Sequence, residues 1–387
     1  MTMPSRYAHE IYLSGMDGGV PPFTTHALDL EDAAHKALDA KPFWYVAGSA
    51  GSGATARANR EAFDRWRIVP RMLTGSTERD LSTTVLGSQL SAPIITSPVG
   101  VQSIIHPDAE LAAARVAQEL GLGMTLSTVS STTLEDVAAE NGDGVRWFQL
   151  YWPHDDGVCV SLLERAQAAG YTALLVTLDT WMLGWRPYDL DHGYLPFLQG
   201  VGLANYFTDP AFCAGLDKTP DEDVRAAVTH WLPIFTGKDH TWDDLAFLRE
   251  HWAGPIVLKG VQHPDDARRA VDAGMEGVLV SNHGGRQVDG AIGALDALPG
   301  VVDAVGDELE VLFDSGVRTG SDIVKALALG ARAVLVGRPW VYGLGLAGTD
   351  GVRHVLRGLL ADLDLSLALS GNPRTATLTR DSIQEHR

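Results

Sequence analysis

The chain has 387 residues, of which 45% are hydrophobic and 20% are charged, values typical of a globular protein with a large buried core. Its formal net charge of -19 disfavours nucleic acids and anionic membrane surfaces as partners, because like charges repel. Cys159 and Cys213 are the only cysteines and form no ligand motif, so neither a disulfide framework nor a metal site is predicted.

Residues 1–90 lack the alternation of strands and helices that most of the rest of the chain shows. They are predicted to form a helical extension that covers one end of the barrel predicted for the residues that follow. The first twenty residues mix charged side chains with apolar ones, which argues against a signal peptide or a membrane span and predicts a cytoplasmic protein. Within this extension the sequence predicts helices over His26–Ala40 and Ala54–Trp66.

From residue 91 to residue 345, short apolar runs alternate with amphipathic segments. Apolar strands that alternate with helices indicate a parallel sheet buried on both faces, and eight units favour a closed barrel over an open sheet. We predict an α/β fold, a TIM (β/α)8 barrel, in one domain over 1–387 with a C-terminal helical segment over 346–387. The predicted strands are Ala92–Ser97, Leu122–Ser127, Val145–Tyr151, Ala173–Asp179, Pro255–Lys259, Gly277–Ser281, Leu309–Asp314 and Ala331–Gly337. The clearest predicted helices are Asp108–Leu120, Asp156–Ala169, Asp265–Ala273 and Ser321–Leu329.

Residues 187–254, between the fourth and fifth predicted strands, depart from this repeat and carry many aromatic side chains. An insertion at this point leaves the C-terminal face of the barrel, where the active sites of barrel enzymes lie. We therefore interpret it as a lid over a site. A structural loop or an oligomer contact is the alternative.

Polar or glycine residues stand at nearly every predicted strand end. One such residue is usually a cap, whereas a ring of them predicts a binding site. Two of the loops combine glycine with arginine, the pattern of a phosphate site, although turn glycines beside surface arginines would look the same. The ring consists of Pro98, Val99, Gly100, Ser127, Gln149, Tyr151, Thr177, Asp179, Lys259, Ser281, His283, Asp314, Gly316, Gly337 and Arg338.

The run Ser281–Gln287, with Asp314–Gly320 and Gly337–Pro339, resembles the FMN-dependent 2-hydroxy-acid oxidase family. The resemblance extends over almost the whole chain, and the run Ser-Asn-His-Gly-Gly-Arg is its most specific part. It implies FMN as the cofactor. Lys259 would lie beside the pyrimidine edge of the flavin, where a fixed cation stabilises the charge of the reduced ring; a buried lysine paired with an acid is the alternative. The other implied FMN contacts are Pro98, Val99, Gly100, Ser127, Gln149, Thr177 and Ser281 for the ring and ribityl group, Asp314 for the ribityl chain, and Gly316, Arg318, Gly337 and Arg338 for the phosphate.

The resemblance also implies that the substrate is a small 2-hydroxy acid. His283 would be the base that takes a proton when the Cα–H bond breaks, with Asp179 orienting the imidazole. Cationic side chains would bind the carboxylate and supply the positive charge that the acidic surface lacks. The substrate residues implied in this way are Tyr45, Arg186 and Arg286 for the carboxylate, Tyr151 for the reacting oxygen, and Tyr206 on the predicted lid.

Two features are similar to the lactate 2-monooxygenases of that family: the run Thr180–Pro187 with its long insertion, and Gly100 where the oxidases carry alanine. We therefore predict oxidation of L-lactate by oxygen to acetate, carbon dioxide and water. The alternatives are an L-lactate oxidase that releases pyruvate and hydrogen peroxide, a mandelate-type oxidase or dehydrogenase and, more distantly, a Schiff-base aldolase that uses Lys259. The family forms fourfold assemblies, which predicts a homotetramer or octamer.

Overall fold

The computed structural model describes residues 3–235 and 240–386 and is built around eight parallel strands. Neighbours along the chain pair with one another, and the eighth strand pairs with the first, with Val334 opposite Ile94, which closes the barrel. The predicted TIM barrel is confirmed, and every strand overlaps one predicted apolar run. The strands are β1 (Ile94–Thr96), β2 (Gly123–Ser127), β3 (Arg146–Leu150), β4 (Leu174–Thr177), β5 (Ile256–Val261), β6 (Gly277–Val280), β7 (Glu310–Phe313) and β8 (Val334–Val336).

Helices complete the strand–helix units, and side chains at their first turns fix where each begins. Asp155 accepts a hydrogen bond from Val158 N, and Thr319 forms a reciprocal capping box with Asp322. Such caps set the lengths of the loops at the C-terminal face of the barrel. The helices are α1 (Ala109–Leu120), α2 (Leu134–Asn141), α3 (Asp156–Ala168), α4 (Leu245–His251), α5 (Pro264–Asp272), α6 (Ala294–Val305), α7 (Gly320–Ala328) and α8 (Arg338–Ser370).

The inside of the barrel has an apolar layer with a polar layer next to it. The apolar layer includes Ile95, Trp147, Leu175, Val257, Leu279, Leu312 and Leu335, which pack in one buried cluster. Side chains two residues apart on a strand face the same way, so the next inward positions lie one step nearer the strand ends. Those positions are Gln149, Thr177, Lys259, Ser281, Asp314 and Gly337. The two-residue alternation of the strands therefore places these predicted polar residues in one layer, directly next to the apolar layer.

The N-terminal extension contains the helices Arg6–Met16, Leu30–Ala37, Ala40–Ala47 and Ala54–Asp64. The predicted helix His26–Ala40 is wrong at both ends. Leu38 is extended, with a ψ of 153°, and a new helix begins after Asp39. This break turns the chain so that Ala40–Ala47, with Tyr45, reaches the C-terminal face of the barrel.

The insertion contains the helices Pro187–Asp191, Ala204–Phe207, Pro210–Cys213 and Val224–Phe235, with 3-10 turns at Pro196–Gln199 and Trp242–Asp244, and it ends with α4. It is joined to the extension by Tyr188, whose ring stacks on Trp44 at 3.9 Å between centroids.

The C-terminal part differs from the prediction. The last helical stretch, α8, begins before residue 346 and is broken by a kink at Ala347 and Gly348, and Ile383–Glu385 is a strand that pairs antiparallel with Trp66–Ile68. The predicted helical segment 346–387 is therefore wrong after Ser370, because Ile383 is buried against the extension instead of continuing a helix. Within the described residues, every helix falls short of the length or apolar character that a membrane span needs.

Candidate active site

A cleft opens at the C-terminal ends of the barrel strands and contains about 1070 Å³ of space outside protein atoms, part of it continuous with solvent. Ligand cavities commonly reach about 1,000 Å³. The structure brings most of the predicted site residues into its wall: Tyr45, Pro98, Val99, Gly100, Tyr151, Arg186, Lys259, His283, Arg286, Asp314, Gly316, Arg318, Gly337 and Arg338. Val129 and Leu183, with Phe197 and Phe235 of the insertion, add apolar surface.

Buried polar side chains next to this wall form hydrogen bonds between neighbouring strands. Ser127 Oγ donates to Gln149 Oε1 at 3.0 Å, and Gln149 Nε2 donates to Thr177 Oγ1 at 2.9 Å. Lys259 Nζ donates to Ser281 Oγ at 3.1 Å. These contacts fix the polar layer, because a buried polar group without a partner would be costly.

His283 forms a buried hydrogen-bonded pair with Asp179. Its Nδ1 donates to Asp179 Oδ1 at 2.8 Å, and Lys259 Nζ lies 3.4 Å from Asp179 Oδ2. Burial, with the nearby Lys259 cation, outweighs the attraction of Asp179 and lowers the pKa of His283 to about 4. Burial would raise the pKa of Asp179, but Lys259 and His283 bring it below its usual value. At neutral pH the pair is a carboxylate and a neutral imidazole, whose Nε2 can accept a proton.

The backbone that carries His283 adopts the left-handed conformation at three consecutive residues. The φ angles are 57° at His283, 65° at Gly284 and 77° at Gly285. A Cβ at Gly285 would lie 2.6 Å from Ala56 N, so this turn packs directly on the extension. A histidine at positive φ is uncommon and needs surrounding contacts to hold it, which is frequent at functional sites.

Four arginines give the cleft an excess of positive charge. Arg186, Arg286, Arg318 and Arg338 line it, and none of them forms an ion pair with a carboxylate in the described part of the chain. Burial, with neighbouring Arg186 and Arg338, lowers the pKa of Arg286. The Arg286 guanidinium also lies over the Tyr45 ring, 5.3 Å from its centroid. Because buried charge is costly without a partner, this arrangement favours an anionic ligand.

Two of these arginines are held by the end of one helix. Ala40–Ala47 ends beside the cleft, and its last carbonyls accept hydrogen bonds from guanidinium groups, as expected at a helix C-terminus. Arg338 donates to Val46 O at 2.9 Å and to Gly48 O at 2.8 Å. Arg286 donates to the same Gly48 oxygen at 3.0 Å.

The loop after β7 has the features of a phosphate-binding loop. Gly316 has a φ of 94°, and a Cβ there would lie 2.9 Å from Asn59 O, so only glycine fits. Arg60 holds this loop by donating to Gly316 O and to Asp322. Arg318 and the N-terminus of α8 lie alongside, which together provide the cations and backbone N–H groups that bind organic phosphates. The residues present therefore fit the phosphate of FMN.

The structure does not bring Tyr206 to the cleft, and its predicted substrate contact is wrong. Its side chain is fully buried and packs edge-on against Phe212 and Trp231, at 5.8 Å and 6.1 Å between ring centroids. The insertion uses this aromatic ring to build its own small core. Phe197 and Phe235 are the insertion residues that reach the cleft wall instead.

Sequence reasoning missed other residues that shape the site. Ser315 donates to Asp314 at 2.7 Å and accepts from Gly284 N at 3.1 Å, which joins the β6 and β7 loops. Asn59 exchanges two amide hydrogen bonds with Asn282, at 2.8 Å and 2.7 Å. Ser315 adjoins a predicted site residue, which was a usable signal, but nothing in the sequence near Asn59 indicates its partner.

A barrel with a phosphate loop after β7, and a histidine–aspartate pair beside unpaired arginines, defines a class of flavin-dependent enzymes that oxidise 2-hydroxy acids. Residues 34–385 match the family described as FMN-dependent dehydrogenase, and the chain belongs to that family. FMN is therefore its cofactor, and the protein is an oxidoreductase of 2-hydroxy acids.

Relatives of this chain cover nearly its full length. It is 50% identical to the FMN-dependent alpha-hydroxy acid dehydrogenase qulF of Penicillium citrinum over 98% of this chain and 95% of that protein. It is 41% identical to an L-lactate oxidase of Lysinibacillus sphaericus over 94% of this chain and 95% of that protein. A crystal structure of mandelate oxidase with (S)-4-hydroxymandelic acid superposes with a TM-score of 0.84 at 38% identity, covering 94% of this chain and 99% of that one.

Proposed function

We propose that the cleft binds a small L-2-hydroxy acid by its carboxylate, and that His283 is the base for oxidation at Cα with oxygen as the electron acceptor. The observation that carries this proposal is the hydrogen bond that holds His283 against Asp179, in a cleft whose four arginines form no ion pair among the described residues. Arg186 and Arg286 would bind the carboxylate, because a guanidinium offers two parallel donors to it.

The residues of the chain bind the substrate and take its proton. When bound, FMN accepts the two electrons that leave the substrate carbon. His283 Nε2 takes a proton from the substrate, and Asp179 stabilises the resulting imidazolium through Nδ1. Burial raises the pKa of Tyr151, so its phenol stays protonated and can donate to the reacting oxygen. Lys259 would supply a cation toward the flavin. The family assignment leaves no role for a Schiff base at this lysine.

For the particular reaction, we propose L-lactate 2-monooxygenation, in which pyruvate stays bound and the hydrogen peroxide formed from oxygen oxidises it to acetate, carbon dioxide and water. Retention of pyruvate needs a closed site. Phe197 and Phe235 of the insertion line the cleft, and the stack of Tyr188 on Trp44 anchors the insertion to the extension. Three relatives named L-lactate oxidase, at 41% to 42% identity, support lactate as the substrate.

A second candidate is an L-lactate oxidase that releases pyruvate and hydrogen peroxide, and the packing of Gly100 weakens one argument against it. A Cβ at Gly100 would lie 2.5 Å from Val129 O and 2.8 Å from Val129 Cγ2. Glycine is therefore required by the neighbouring loop, whatever becomes of the product. This packing removes Gly100 as an argument for the monooxygenase.

One experiment separates these proposals. The purified holoenzyme is supplied with L-lactate and oxygen, and acetate, pyruvate and hydrogen peroxide are measured with catalase present in a parallel sample. We expect acetate to match the lactate consumed in both samples. Stoichiometric pyruvate with peroxide would instead support the oxidase. Faster turnover of mandelate than lactate would contradict lactate as the substrate. An enzyme that oxidises no 2-hydroxy acid would contradict the proposed function as a whole.

We also propose that the protein is cytoplasmic and forms a homotetramer or octamer. The fourfold assemblies of the family support the oligomeric state, and the charged residues among the first twenty support the location. Light scattering of the holoenzyme measures the molar mass directly, and a monomer would contradict the proposal.

A further inference from the structure

Thr180, the residue after Asp179, contacts both members of the buried pair. Its hydroxyl donates to Asp179 Oδ1 at 2.8 Å, and its oxygen lies 3.0 Å from His283 Nδ1. A hydroxyl has one hydrogen, so the oxygen that donates to Asp179 can only accept from the Nδ1–H of His283. The carboxylate oxygen, the hydroxyl and the ring nitrogen therefore form a closed triangle, and Thr180 is 6% exposed.

Asp179 also has a competing partner. Lys259 Nζ lies 3.4 Å from Asp179 Oδ2 and 3.4 Å from His283 Nδ1, which is longer than a good ion-pair hydrogen bond. An unrestrained carboxylate would turn toward the ammonium, because the attraction strengthens at shorter distance. That rotation would carry Oδ1 away from His283. The hydrogen bond from Thr180 to Oδ1 opposes it.

We propose that Thr180 is a positioning residue of the oxidation: its hydroxyl holds the Asp179 carboxylate toward His283 and so keeps the proton on Nδ1 and the basic lone pair on Nε2. The inference rests on the proposed role of His283 as the base. Thr180 lines the cleft, but both of its hydrogen bonds go to the pair and neither goes to Arg186 or Arg286, so we assign its role to the chemical step.

The test replaces the hydroxyl while keeping the shape of the side chain. We expect Thr180→Val to lower kcat about 10-fold to 100-fold, the effect of losing one hydrogen bond to a charged group, and to leave KM for L-lactate within about twofold. The isotope effect on kcat with 2-deuterated L-lactate should rise, because C–H cleavage becomes more rate-limiting. Thr180→Ser, which restores the hydroxyl, should return kcat to within about threefold of the unmodified enzyme.

Thr125→Val is the matched control. Thr125 is a buried threonine of β2, outside the cleft wall, whose Oγ1 has no hydrogen-bond partner among the described residues. Its kcat should not change, and all variants should bind the same amount of FMN per chain, measured by absorbance. Thr180→Val with unchanged kcat, or Thr180→Ser as slow as Thr180→Val, would overturn the inference. If His283→Asn is inactive in the same assays, that result leaves the proposed function standing; an unmodified enzyme inactive with every 2-hydroxy acid removes both.

Discussion

His283 can accept a proton only while its imidazole is neutral, and burial sets the pH range in which it is. Its pKa is lowered to about 4, so protonation is lost as the pH rises through that value. The kcat/KM for L-lactate should therefore be level from neutral pH down to about pH 5 and fall below about pH 4. Stopped-flow flavin reduction across this range measures it, with pre-incubation controls for unfolding. An acid limb near the ordinary histidine value of about 6.5 would contradict the burial argument.

Removal of the imidazole tests the same assignment directly. His283→Asn should lower kcat by about 10²-fold to 10⁴-fold, the range of general base catalysis, and leave FMN binding intact. Gln262→Asn, at a partly buried position outside the cleft wall, is a control that should keep full activity. If the kcat of His283→Asn stayed within tenfold of the original value, another group would have to take the proton.

Gly100 tests the packing explanation for a residue that the sequence suggested was functional. Because a Cβ there would lie 2.5 Å from Val129 O, Gly100→Ala should lower the free energy of unfolding by about 1–3 kcal/mol. Gly358→Ala in α8, where a Cβ would meet nothing within 4 Å, should instead raise it by about 0.5–1 kcal/mol. Chemical denaturation of both variants compares them. Equal stability of Gly100→Ala and the original would show that the loop yields without cost.

The role of a residue could be predicted where nearby sequence determines its surroundings, and not where distant segments do. His283 and Asp179 were found because motif and strand end coincide. The positive φ of His283 could not be predicted, since Asn59 and Ala56, which contact the flanking residues Asn282 and Gly285, lie more than two hundred residues away in the chain. Tyr206 was misassigned because an aromatic residue in an insertion has no sequence signal that separates a lid contact from a small core.

At the scale of elements, the insertion and the extension contact each other through a pair of stacked aromatic rings. The Tyr188 ring lies parallel to Trp44 at an interplanar angle of 1°, and this contact joins the two segments beside the cleft. Tyr188→Ala should loosen the insertion, speed the escape of pyruvate and shift products from acetate toward pyruvate and peroxide. The acetate-to-pyruvate ratio measures this, and Tyr188→Phe, which keeps the stack, is the control. An unchanged ratio in Tyr188→Ala would mean that the stack does not contribute to product retention.

The barrel strands could be predicted because both their faces are apolar, and the alternation of inward and outward side chains then located the polar layer. Elements outside the barrel were harder to predict. The break at Leu38 and the strand Ile383–Glu385 arise from packing against distant segments, which local helix preference does not record. Arg6–Met16 has no buried residue, so no apolar stripe marks it in the sequence.

At the scale of the whole molecule, the net negative charge of -19 repels an anionic substrate at long range, whereas the arginines of the cleft attract it at short range. Salt screens exposed charges beyond about 10 Å at 0.1 M and buried ones less. Raising the ionic strength should therefore increase kcat/KM for L-lactate about twofold to threefold and leave kcat unchanged. The inhibition constant of neutral lactamide should not respond. A fall in kcat/KM would mean that the local arginines dominate at long range.

The carbonyl at Gly48 is shared by an arginine beside the proposed substrate position and one beside the phosphate loop. An anion bound by one guanidinium would compete with this oxygen for its N–H groups and would leave the oxygen to the other guanidinium. Occupancy by the nucleotide is then expected to change the affinity for the acid, and by reciprocity the acid would change the affinity for the nucleotide by the same factor.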